Sequence, residues 1–379
     1  MKILLISAYA DKLLKFRYEL IKSLVDNGHD LTIMGPESPG DFVSDYNRLG
    51  CGYQQISIDR VNVNPLKEII ALFTVSKEIK AQSADLVLIY GIKILTACVI
   101  SAWLARVKSI FCVINGAGTL FISRKKKTFF VKILAFPIIA LALKISKKTF
   151  FQNKDDANEF VKLRLIQQKR VVLVNGSGVN MEMFTPHTLS VKPVFLLIGR
   201  MIRDKGIMEF VQAAKITKEK YPDAKFRLLG QFDINPTALK MEDLQPFIDD
   251  GSIEYLGETS DVRPYLADSS VYVLPSYREG TPRSVLEAMA SGLPIITTDT
   301  PGCRETVLDG INGFLVPVKS VSKLVEKMIY FIENSECISI MGEKSLEICR
   351  DKYDVFKVNN IMLNSMGISQ KPEVQCEGD

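Results

Sequence analysis

The chain has 379 residues, 47% of them hydrophobic and 24% charged, with a net charge of +5. That composition excludes a disordered polypeptide, and the length exceeds what one core usually supports, so two domains are expected. Two histidines, His29 and His187, leave few candidates for a histidine base, and seven scattered cysteines without a Cys-x-x-Cys pair read as reduced, mostly buried thiols rather than disulfides or a metal site.

The first apolar run, residues 3–6, is too short for a secretory signal and Asp11 follows it, so a cytosolic protein is expected. Strands are expected at 3–7, 31–34, 86–90, 110–114, 150–152 and 171–174. They alternate with helices at 12–27, 65–80, 92–106, 128–146 and 155–168. Short β-rich runs interleaved with longer helical patterns are the signature of a helix-wound parallel sheet. Between Asp85 and Asp155 there is no acidic residue, while twelve lysines and arginines occur. Inside that window Arg124, Lys125, Lys126 and Lys127 precede an apolar run broken by Lys132 and Pro137, too short for a comfortable bilayer span. Two readings fit: contact with an anionic membrane face, which accounts for the cations, or a core helix with a lysine-rich end. Nucleic acid is disfavoured, because aromatic residues are not interleaved with the basic ones.

Residues 185–193, polar and proline-bounded, read as a linker, after which the alternation restarts. Strands at 194–199, 226–230, 253–256, 271–274 and 295–297 alternate with helices at 206–220, 237–248, 261–268 and 282–291. The expected architecture is α/β, two facing Rossmann-like doubly wound parallel-sheet domains with an interdomain cleft. The expected boundaries are 1–185, 186–350, a helix at 351–368 packing back toward the first domain, and a disordered tail at 369–379.

Chemistry gathers at the strand ends. Gly199 and Arg200 close one strand and Lys205 precedes the next helix, two cations suited to a diphosphate leaving group. Glycines in Asn175-Gly176-Ser177-Gly178 and Asn115-Gly116-Ala117-Gly118 let backbone amides approach a ligand, although plain turns explain them equally well. Glu279-Gly280-Thr281-Pro282 leads into a helix carrying Glu287, with Pro282 expected at its first position and Glu287 facing water or a cleft. A helix N-terminus favours a phosphate, and flanking carboxylates can accept hydrogen bonds from sugar hydroxyls. The competing reading is a solvated helix with an Arg283–Glu287 i,i+4 pair. Two aspartates never occur at i,i+2, so catalysis without a metal is the simpler expectation.

The stretch from Leu274 to Glu287, with Pro301-Gly302-Cys303-Arg304-Glu305, Gly199-Arg200-x4-Lys205-Gly206, Gly176-Ser177-Gly178-Val179 and Asp309-Gly310-x-Asn312-Gly313, closely resembles the donor site of family-4 retaining glycosyltransferases of the GT-B fold. The resemblance covers most of residues 170–318. It implies that Glu279 holds donor-sugar hydroxyls, Glu287 the ribose, and Arg200 and Lys205 the diphosphate of a UDP-sugar. Gly280 and Thr281 would add backbone donors, with Gly199, Ser177 and Gly178 beside them. The first half is similar to bacterial members that extend polyprenyl-diphosphate-linked glycans for O-antigen, capsule or protein glycosylation. Arg17, Asn115, Gly116 and Gly118 would then lie on the acceptor side, and Arg124–Lys127 with Lys132 on the cytoplasmic face of the inner membrane. One departure is Ser7-Ala8-Tyr9-Ala10-Asp11, which stands where many relatives have a glycine-pair loop. No cofactor is implied beyond the substrate. The rival expectations are a nucleotide-sugar isomerase on the same fold and a non-catalytic UDP-sugar or anionic-lipid binding protein.

Overall fold

A computed structural model describes residues 1–58, 65–116, 126–185, 193–234 and 237–369, with backbone alone at 65–69, 93 and 126–134. The chain divides into two compact units, Met1–Ser177 with Val358–Asp379, and Gly178–Lys357.

In the first unit, strands β1 (Lys2–Ser7), β2 (Asp30–Gly35), β3 (Gly52–Gln55), β4 (Leu86–Tyr90), β5 (Ser109–Ile114), β6 (Lys148–Phe151) and β7 (Val171–Leu173) form a parallel sheet ordered β3-β2-β1-β4-β5-β6-β7. Helices α1 (Ala10–Asp26), α2 (Phe42–Arg48), α3 (Pro65–Gln82), α4 (Ile92–Leu104), α5 (Lys126–Ile145) and α6 (Lys154–Lys162) connect them. All five residues of β4 are buried, as a strand covered on both faces requires. The two-residue period of the strands divides the core in two. Leu4, Ile6, Val87 and Ile89 pack with Val75, Ile79, Leu95, Val99 and Leu143 of α3, α4 and α5. Ile3, Leu5, Leu86 and Leu88 pack on the opposite face with Leu20 and Leu24 of α1 and with Val358, Met362 and Leu363 near the C-terminus.

In the second unit, β8 (Val194–Ile198), β9 (Lys225–Leu229), β10 (Glu254–Tyr255), β11 (Val271–Leu274), β12 (Ile295–Thr298) and β13 (Gly313–Val316) form a parallel sheet ordered β10-β9-β8-β11-β12-β13. The helices are α7 (Ile207–Lys220), α8 (Met241–Asp249), α9 (Arg263–Ala267), α10 (Arg283–Ala290), α11 (Val321–Glu333) and α12 (Glu336–Ile348), followed by a π turn at Cys349–Tyr353; the last helix, α13 (Val355–Met366), belongs to the first unit from Val358 onward. Strand order reverses between β1 and β4 in one sheet and between β8 and β11 in the other. Such switch points open a crevice at the carboxyl ends of the strands, where doubly wound sheets bind ligands.

Several boundaries differ from the sequence expectation. The helix expected at 155–168 stops at Lys162, since Arg164 adopts a left-handed φ of 55°. The helix expected at 282–291 begins at Arg283; Pro282 is its cap, with ψ at 113°, and not its first residue. The elements α2, β3, β13, α11 and α12 were absent from the expected pattern. β3 reads Gly-Tyr-Gln-Gln and has no buried residue, so it carries no apolar alternation. Among the described residues, no helix is long and apolar enough to cross a membrane.

Candidate active site

Both signature loops of the second unit emerge at the β8/β11 switch point. Gly199 and Arg200 follow β8, and residues 275–282 link β11 to α10. The Tyr272 phenol of β11 donates to Ile198 O at 3.1 Å, joining the two strands one residue before Gly199. Burial pushes the Tyr272 hydroxyl far above the usual phenol value, and the nearby charges of Glu287 and Glu279 push it further.

Lys205 and Glu279 meet. Lys205 Nζ donates to Glu279 Oε1 at 2.6 Å, and both side chains are largely covered, with 18% and 15% exposed. The lysine stem runs along the end of β8: a Cβ on Gly199 would lie 3.8 Å from its Cγ and Cδ. Glu279 Oε1 is also 2.7 Å from the buried Ser276 hydroxyl, which lies 3.1 Å from Asp204 O. Ser276 has a single proton to donate, so it ties the carboxylate or the 203–205 turn at any moment. Tyr277 N donates to Asp204 O at 2.8 Å, which ties the two loops further, and Glu279 N donates to Pro301 O at 3.1 Å in the turn after β12. The Tyr277 hydroxyl donates to Glu209 Oε1 at 2.8 Å, in the first turn of α7. Burial is the main reason that this phenol holds its proton more tightly than usual, with the Glu209 bond second.

Arg200 does not join Lys205. Its Nη1 pairs with Asp233 Oδ2 at 2.6 Å and half of the side chain is exposed, so the two cations are held by different carboxylates. Glu287 pairs with Arg283 at 2.8 Å, one turn back on α10, with only 15% of its side chain exposed. Of the two expected surroundings, water or a cleft, open water is not what Glu287 meets: the i,i+4 pair forms under cover. Burial raises the Glu287 carboxyl above the ordinary glutamate range, and Arg283 offsets part of that.

Gly280 and Thr281 occupy the entrance to α10, where the first-turn N–H groups have no intrahelical acceptor. The Thr281 hydroxyl donates to Gly280 O at 3.0 Å. Gly302, at φ 80°, lies so close beneath that a Cβ there would be 2.5 Å from Gly280 O. Gly178 has a packing reason of its own, since its φ is 71° and a Cβ would meet Val355 Cα at 2.6 Å. Ser177 is buried, and its carbonyl accepts from Arg17 Nη1 at 3.4 Å. Arg17 sits at a kink in α1 and is 3% exposed, with its guanidinium 5.1 Å from the centre of the Tyr90 ring. It is engaged inside the first unit and does not present its charge to solvent. Asn115 is exposed and Gly116 half-buried at the end of β5. Gly118, Arg124 and Lys125 lie outside the described residues, as do the side chains of Lys126, Lys127 and Lys132. Among the described residues, no group of three or more His, Cys, Asp and Glu is placed to hold a metal ion.

Ser276, Tyr277, Glu209 and Asp233 had no role in the sequence reading. Ser276 and Tyr277 lie within the signature stretch; Asp233 and Glu209 are distant in sequence and nothing local marks them.

Residues 192–334, which hold Arg200, Lys205, Asp233, Ser276, Glu279 and Glu287, match the family model for glycosyl transferases group 1. The chain carries a group 1 glycosyltransferase domain. Among curated relatives, the chain is 27% identical over 335 residues to the N,N'-diacetylbacillosaminyl-diphospho-undecaprenol alpha-1,3-N-acetylgalactosaminyltransferase of Campylobacter jejuni, covering 85% of this chain and 86% of that one. It is 25% identical to the UDP-Gal:alpha-D-GlcNAc-diphosphoundecaprenol alpha-1,3-galactosyltransferase of Escherichia coli, covering 77% and 76%. The crystal structure of Anabaena HepE in complex with UDP and glucose superposes with a TM-score of 0.77 at 15% identity, over 97% of this chain and 99% of that one. At that identity the likeness speaks for the fold, which is GT-B: two Rossmann-like parallel-sheet domains.

Proposed function

We propose that this glycosyltransferase moves a hexose or N-acetylhexosamine, with retention, from a UDP-sugar to a saccharide carried on a polyprenyl diphosphate, in bacterial surface-glycan or glycoprotein assembly. Both relatives above carry undecaprenyl-diphosphate acceptors in their names, and one names a UDP-sugar donor. The observation that carries the reading is the covered Lys205–Glu279 pair at the β8/β11 switch point. There a lysine can turn from its carboxylate to a diphosphate, while Glu279 accepts hydrogen bonds from sugar hydroxyls and Glu287 from the ribose. Arg200, half exposed across the same sheet edge, adds a second cation.

In this reading the acceptor hydroxyl oxygen bonds to the anomeric carbon on the face from which UDP departs. The C1–O bond to the diphosphate breaks, and the hydroxyl proton passes to a diphosphate oxygen, so no side-chain nucleophile is needed. Lys205, Arg200 and the entrance to α10 stabilise the negative charge that builds on the leaving group. No metal is assigned a part. The protein works at the cytoplasmic face of the inner membrane, where the positive charge of Arg124–Lys127 and Lys132 suits anionic lipid.

The test is a panel of nucleotide sugars with a lipid-linked acceptor, and NMR of the anomeric centre formed. Lys205→Ala should lower kcat about 10²–10³-fold, the cost of losing one preorganised charge contact to a transition state. Undiminished transfer by that variant removes the charge assignment, inverted product removes retention, and UDP-sugar turnover without acceptor points to an isomerase.

A further inference from the structure

On the outer side of the first unit's sheet, α4 packs between α3 and α5, and the Ser101 hydroxyl of α4 donates to Leu72 O of α3 at 2.9 Å. Each of the three helices is the crossover between parallel strands, so all three run in the same direction. Their solvent-facing stripes share one layout. On α3, Ile70 and Phe73 are 65% and 58% exposed, and Lys77 and Lys80 follow at helical spacing. On α4, Trp103 and Leu104 are 57% and 39% exposed, and Arg106 and Lys108 follow. On α5, Ile138 and Leu141 are 48% and 53% exposed, and Lys144 and Lys147 follow.

Each of the three adjacent helices thus carries exposed apolar side chains, followed toward its C-terminal end by exposed cations. Large exposed apolar side chains are ordinary when scattered, but here three adjacent helices present them together. Among the described residues these basic helix ends carry few carboxylates, and these are engaged: α4 and α5 contain no acidic residue, the half-buried Glu78 of α3 accepts from the Ser57 hydroxyl at 3.3 Å, and Asp85, just past α3, accepts from Lys2 N at 2.8 Å. A second copy docking through this face would bring more cations than carboxylates to the helix ends. A phosphate-covered apolar slab supplies both what the apolar side chains and what the cations lack. Aromatic rings and lysines at such a boundary are the usual interfacial anchors.

We propose that the outer face of α3, α4 and α5 docks on an anionic lipid bilayer, with Trp103 and its apolar neighbours entering the boundary between headgroups and acyl chains and the helix-end cations resting on lipid phosphates. The inference deepens the membrane side of the function above, but assigns the contact to a face that does not depend on Arg124–Lys132.

Trp103 is the single tryptophan of the chain, so its fluorescence reports this face alone. With vesicles of phosphatidylglycerol and phosphatidylcholine, its emission should shift to the blue and be quenched by brominated acyl chains; pure phosphatidylcholine should give little of either. Lys80→Glu and Lys144→Glu should each weaken partitioning at least about fivefold, the contribution of one cation near a charged surface. Phe73→Glu and Leu141→Glu should lower it about tenfold or more. Unchanged circular dichroism and unchanged transfer to a detergent-dispersed acceptor would show that these variants are folded. Binding to vesicles with Trp103 emission unmoved would assign the contact to another face and overturn the inference, while leaving the transferase reading intact. Absence of binding would overturn it, and so would a dimer that Phe73→Glu dissociates. Because vesicle binding needs no turnover, its result is separate from the outcome of the transfer assay.

Discussion

Glu287 shows how one carboxylate links the site to stability. Burial raises its carboxyl above the unfolded value of about 4.3, and Arg283 at 2.8 Å recovers part of that. The folded chain therefore holds this proton to higher pH than the unfolded chain does. The contribution to stability is fully present below the unfolded value and is lost as pH rises through the folded one. In Glu287→Gln that loss disappears. The unfolding free energy of the native protein should thus fall relative to the variant as pH is raised above about 4.3, measured by urea denaturation across a pH series. A difference that stays flat with pH would show that Arg283 fully offsets the burial. The Glu279–Glu287 spacing was legible in the sequence because both residues sit on one loop–helix segment. Ser276 as the hydroxyl that braces Glu279 was not, since the contact depends on how the turn after β11 closes.

At the scale of an element, α10 is held in place from below. Gly302, at φ 80°, lies against the carbonyls of Glu279 and Gly280, so the turn after β12 supports the entrance to the helix. An alanine there would take up a left-handed backbone, at about 1–2 kcal/mol, and also press on those carbonyls. Gly302→Ala should destabilise the second unit by about 2–4 kcal/mol and weaken binding of a UDP-sugar, read by calorimetry and titration. Normal thermal stability together with unchanged donor affinity would refute the support role. The strands and long helices were legible because period two and period 3.6 are local properties of the chain. β3 and α2 were not, because a half-exposed edge strand and a two-turn polar helix carry almost no apolar periodicity.

At the scale of the whole molecule, the last helix belongs to a core built from the first residues. Val358, Met362 and Leu363 are fully buried with Ile3, Leu5 and Leu88. Each such side chain contributes about 1.5–3 kcal/mol, so losing several removes stability comparable to that of a domain, about 5–15 kcal/mol. A chain ending at Lys357 should lose hydrogen-exchange protection across β1, β4 and α1, while β8, β11 and α10 keep theirs. Retained protection in β1 would show that the first unit closes its core without this helix.

The alternation of strand and helix, the two parallel sheets and the positions of Gly199, Lys205, Glu279 and Glu287 at strand and helix ends follow from the sequence alone, because periodicity and chain punctuation are local. Tertiary structure decided the pairings. Lys205 closes on Glu279 while Arg200 turns to Asp233, Arg17 is drawn inward beside Tyr90, and Glu287 is largely covered. Each of these outcomes depends on which distant loop arrives at the same strand end, and that follows from the order of strands in the sheet, not from spacing along the chain.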